Sequence, residues 1–122
     1  MKPKYKSMET INRDAIIVSA KKSLINWVNS IDREHPIEFR DPLTSDESTI
    51  YLIEELNTEE DFKEWLSENY TEIFEEVLLG WITDESLWPQ QRTFELFNEW
   101  VLVSWQSMVV DLNPDVSLEY DE

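Results

Sequence analysis

Thr58-Glu59-Glu60-Asp61-Phe62-Lys63-Glu64-Trp65-Leu66-Ser67-Glu68-Asn69-Tyr70-Thr71-Glu72-Ile73-Phe74-Glu75-Glu76-Val77-Leu78-Leu79-Gly80-Trp81 is the stretch whose reading decides the fold. Its apolar residues, from Phe62, Trp65 and Leu66 to Val77, Leu78 and Trp81, recur three and four positions apart, as on one face of a helix. Thr58, followed three residues later by Asp61, is a capping-box-like start, and Glu59, Glu60 and Asp61 suit the positive end of the helix dipole. The pattern predicts one helix of about 23 residues, or two with a break near Asn69-Tyr70-Thr71. Gly80 is expected to stop it, because glycine takes a left-handed cap without strain.

On the N-terminal side of this helix, Thr49-Ile50-Tyr51-Leu52-Ile53 places apolar residues at consecutive positions, the pattern of a buried strand. Asp14-Ala15-Ile16-Ile17-Val18-Ser19-Ala20 is a β-branched run of strand length bounded by charge, and is read as the first strand. Between the two, Leu24, Trp27, Val28 and Ile31 fall at i, i+3, i+4 and i+7, giving a helix over 22–31. Residues 32–48 show neither period, hold two prolines and the single histidine, and predict a long connection.

On the C-terminal side, Pro89 biases Trp88 away from helical geometry and makes a corner of Thr83 to Pro89. Residues 92–100 read as helix, burying Phe94 and Phe97. Beyond them a helical stripe through Val101, Trp105 and Met108 competes with a run rich in strand formers, and a third strand over 102–112 is the reading taken. Pro114 ends it. The order strand, helix, strand, helices, strand predicts a single α+β domain over 14–113, a small, mostly antiparallel sheet of three strands covered by three or four helices. A flexible arm over 1–13 and an acidic tail over 114–122 flank it.

The 122 residues carry a net charge of −17, unevenly placed. Residues 1–40 hold eight Lys or Arg against five acids, a net of +3, whereas residues 41–122 hold only Lys63 and Arg92 against 22 acids, a net of −20. Six Trp, five Phe and four Tyr with a single Gly are the opposite of a disordered composition. The charge argues against free nucleic acid as a partner, since that binding rests on cations neutralising phosphates, and against an anionic membrane. No apolar run follows the basic start, and no stretch is long enough for a membrane span, so a soluble cytoplasmic protein is expected.

The absence of Cys removes disulfides, thiolate nucleophiles and thiolate-bound metals, and the lone Gly80 removes glycine-rich phosphate loops. His35, beside Pro36, sits in no nucleophile-elbow context and reads as a surface histidine. No segment has the alternating acids, central glycine and terminal Glu of a calcium loop. Neither catalytic residue, metal nor cofactor is expected.

The most individual segment runs from Trp81 to Arg92. It reads either as a packed corner, with Arg92 balancing a nearby acid, or as a binding patch of Trp81, Asp84, Glu85, Trp88 and Arg92, in which Trp and Arg are the types that dominate interface energies. Trp88-Pro89-x-x-Arg92-Thr93-Phe94, with Phe97 and Trp100 downstream, resembles small acidic bacterial proteins without known activity. That resemblance spans residues 8–112 and implies a compact α+β domain without implying catalytic residues. The expected function is a non-enzymatic module that binds a basic protein, as an inhibitor, an immunity-type protein or a mimic of nucleic acid charge. The alternatives are a small carboxylate- or metal-dependent hydrolase using Asp84 and Glu85, and a homo-oligomer joined by exposed aromatics.

Overall fold

The structure, a computed structural model, describes residues 9–42 and 47–121. Glu9–Thr10 forms β1, Asp14–Ala20 β2, Lys22–Ile31 α1, Thr49–Ile53 β3 and Glu59–Trp81 α2. After a 3-10 turn at Glu85–Leu87 come α3, Phe94–Trp100, β4, Val101–Gln106, and β5, Val110–Asp111. The α+β class, the bounds of β2, α1 and β3, and the single long α2 agree with the sequence.

The main sheet has the order β3-β2-β4 with both ladders antiparallel. Its central strand is therefore the one built from Ile16, Ile17 and Val18, whose branched side chains suit a pleated surface packed on its face. Pleat alternation and register put Ile16, Val18, Ile53, Val103 and Trp105 on the face that meets the helices. The reverse face carries Ile17, Ile50, Leu52 and Leu102, of which Ile50 is 66% and Leu52 52% exposed.

Thr58 caps α2 by accepting the Asp61 amide at 3.1 Å, and Thr93 caps α3 by accepting that of Leu96 at 3.1 Å. The helices share an aromatic cluster: Phe74 of α2 meets Phe97 edge-on at 5.4 Å between ring centroids, and Trp27 of α1 lies 5.2 Å from Trp100. Phe74, Phe97, Ile16, Leu24 and Leu78 are the largest fully buried side chains. Removing each from water contributes roughly 1.5–3 kcal/mol before chain entropy is counted.

Three expectations change. Gly80 does not stop α2: the helix runs through it to Trp81, no glycine takes positive φ, and extended Ile82 closes the end by donating its amide to Leu78. The third strand is split into β4 and β5 by residues 107–109, and it begins directly on α3, where the β-branched Val101 turns extended. Residues 9 and 10, placed in the arm by their lack of period, pair with β5. Residues 1–8 of that arm, and 43–46 of the long connection, lie outside the described residues. The connection is pinned near its start, where the Asn29 side chain both donates to and accepts from the backbone of Ile37.

Candidate functional site

The Trp81 to Arg92 corner is packed around Trp88. That indole is buried, and its N–H donates to the Ile82 carbonyl at 2.8 Å. The Arg92 guanidinium lies 5.7 Å from the Trp88 ring centroid, donates to the Pro89 carbonyl at 3.0 Å, and approaches Glu75 at 3.7 Å. Tyr70 donates its hydroxyl to the Arg92 carbonyl at 3.0 Å. Trp88 and Arg92 thus spend their binding capacity internally, a cation over a π face beside an ion pair.

Asp84 and Glu85 are exposed on the 3-10 turn. The Asp84 carboxylate accepts from both the amide and the hydroxyl of Ser86, which holds it below its ordinary range. That is an Asx-type turn, a common use of Asp at a corner. Of the five, Trp81 lines a concavity.

That concavity is a groove of about 550 Å³ between the β2–β3 part of the sheet and the C-terminal half of α2. Val18, Tyr51, Val77 and Trp81 supply its apolar lining, and Glu76 and Gly80 its helical wall. A Cβ placed on Gly80 would meet nothing within 4 Å, so there is open space beside this wall position. A second hollow of about 180 Å³, which shares Tyr51 with the groove, lies among Ile53, Trp65, Asn69, Glu72 and Ile73. Tyr51 spans the two parts and donates to Glu76; burial first, then the Glu76 charge and this bond, raise its hydroxyl above the ordinary value of 10.0.

Glu72 and Glu76, which line these two spaces, belong to an i, i+4 row on α2 with Glu64 and Glu68, all four exposed. A rise of 1.5 Å per residue makes this stripe about 18 Å long. The cations of this region are engaged elsewhere, Lys63 with Glu60 at 3.8 Å and Arg92 with Glu75. Like charges at i, i+4 repel on a helix, so the stripe costs α2 stability. The i, i+4 spacing of these glutamates is visible in the sequence, interleaved with the apolar period, but which of them face the groove is not.

Among the described residues no group of three or more His, Asp or Glu is placed to hold a metal ion. Among the described residues His35 meets Asp32, at 3.2 Å on an exposed loop. No described helix is long and apolar enough to cross a membrane. No protein-family model, curated protein or solved structure matches the chain, so the site is read from its own residues alone.

Proposed function

We propose that this protein is a non-enzymatic binding module that recognises a basic protein through the acidic side of α2. The observation that carries the reading is the stripe Glu64, Glu68, Glu72 and Glu76, for which no ion pair is seen among the described residues. It opposes helix stability and is offset by no cation among the described residues, which fits a surface kept for an external one. A field of one sign also speeds capture of an oppositely charged partner by roughly 10- to 1,000-fold.

The test is calorimetric titration with poly-L-lysine and with a folded protein of isoelectric point above about 9. Saturable binding is expected, at least tenfold weaker when salt rises from about 50 to 300 mM and weaker again in E64Q/E68Q/E72Q/E76Q. Absence of saturable binding, or binding indifferent to salt and to the fourfold variant, would refute the reading.

A further inference from the structure

We infer that the segment received by this module is an extended strand of alternating basic and apolar residues, which pairs with the outer edge of β3 and lays its basic side chains in the groove against α2. This rests on the reading that the partner is basic, and adds where and in what conformation it binds.

β3 is an edge. It has one ladder, with β2, and no backbone–backbone hydrogen bond from 49–53 goes elsewhere among the described residues. Every second residue of an edge strand presents its N–H and C=O outward, which is why edges are ordinarily blunted by Lys, Pro, bulges or covering elements. Thr49-Ile50-Tyr51-Leu52-Ile53 contains no charge and no proline. The opposite edge differs: Trp105 of β4 stacks on Phe62 with centroids 5.6 Å apart and donates to Asp14, which fills the space between that strand and α2. The groove therefore opens beside β3.

A strand added to β3 points alternate side chains to opposite faces. One set enters the groove, where long Lys or Arg stems would cover Tyr51 and Val77 while their heads reach Glu72 and Glu76 on the helical wall. The other set extends the reverse face, beside the exposed Ile50 and Leu52, and apolar side chains there would remove those residues from water. The two environments differ in polarity, so they demand alternation. Main-chain hydrogen bonds then supply affinity and the two faces supply selectivity, the logic of strand addition.

The probe is a peptide of about ten residues alternating Lys and Val, which spans β3 with room to slide. Two further versions carry N-methyl groups on alternate backbone nitrogens, one in each register. In calorimetry against the whole chain, the parent should bind and one register should bind at least tenfold more weakly than the other, because only one removes donors aimed at β3. Amide exchange at 49–53 should slow on binding. Gly80→Phe fills the groove from a helical position with open space, so it should keep the fold by circular dichroism yet bind the peptide at least tenfold more weakly. A folded basic protein that binds while the peptide does not would overturn the strand proposal and leave basic recognition standing. Equal binding of both registers, or of Gly80→Phe and the native chain, would do the same. If neither peptide nor folded basic protein binds, the underlying reading falls too.

Discussion

The Asp14 carboxylate accepts a 2.8 Å hydrogen bond from the indole N–H of Trp105, 91 positions further along the chain. The same oxygen accepts the Leu56 amide at 3.0 Å, and Asp14 is only 3% exposed. One buried carboxylate thus ties the start of β2 to the end of β4 and to the link between β3 and α2. Asp14→Ala leaves two part-buried donors without their acceptor and should cost about 2–4 kcal/mol. Trp105→Phe keeps the ring that stacks on Phe62 but removes one donor, and should cost about 1–2 kcal/mol. Urea unfolding of both single variants and the double variant checks this. Asp14→Ala should cost less in the Trp105→Phe background, and purely additive losses would show that the bond contributes nothing of its own.

Tyr51 makes stability sensitive to alkali. Its hydroxyl titrates above 10.0 because burial and the neighbouring Glu76 disfavour the phenolate. A pKa raised on folding gives stability that is complete below the unfolded value and lost as pH rises through the folded one. The melting temperature should therefore fall as pH climbs past about 10, and less steeply in Tyr51→Phe, which keeps the ring and has no proton to lose. Parallel curves for the two proteins between pH 9 and 12 would contradict this.

Glu68 stands between Glu64 and Glu72, so it takes part in two i, i+4 repulsions on α2. Glu68→Gln should raise stability by about 0.4–1 kcal/mol at low ionic strength, at 0.2–0.5 per pair. The gain should shrink in about 1 M salt, where the Debye length is near 3 Å. The same variant should bind poly-L-lysine more weakly. A stability gain that survives high salt would point to helix propensity instead of charge.

Elements defined by local pattern were legible in the amino acids. The branched run at 16–18 and the triplet-quartet spacing from Phe62 to Trp81 each encode their own geometry. Gly80 misled because a glycine permits a left-handed cap without requiring one, and Trp81 carries an apolar side chain the helix can still use. The Trp88 corner was visible as aromatic and basic, but whether Trp88 faces inward depends on Ile82 and Arg92 folding over it. The groove was hidden for a stronger reason. It exists because β3 and α2, adjacent in sequence, leave space on the far side of Tyr51, and no linear spacing expresses a gap.

The middle strand of the sheet is translated early, while its neighbours come from residues 49–53 and 101–106. During synthesis Ile16 and Val18 wait for roughly ninety further residues to emerge before Trp105 arrives beside them, about 5–20 s at ordinary elongation rates. For that interval the nascent polypeptide shows the cell an incomplete, sticky ribbon. The carboxylates that accumulate from residue 41 onward give each lengthening chain a net negative charge, and like-charged chains repel one another.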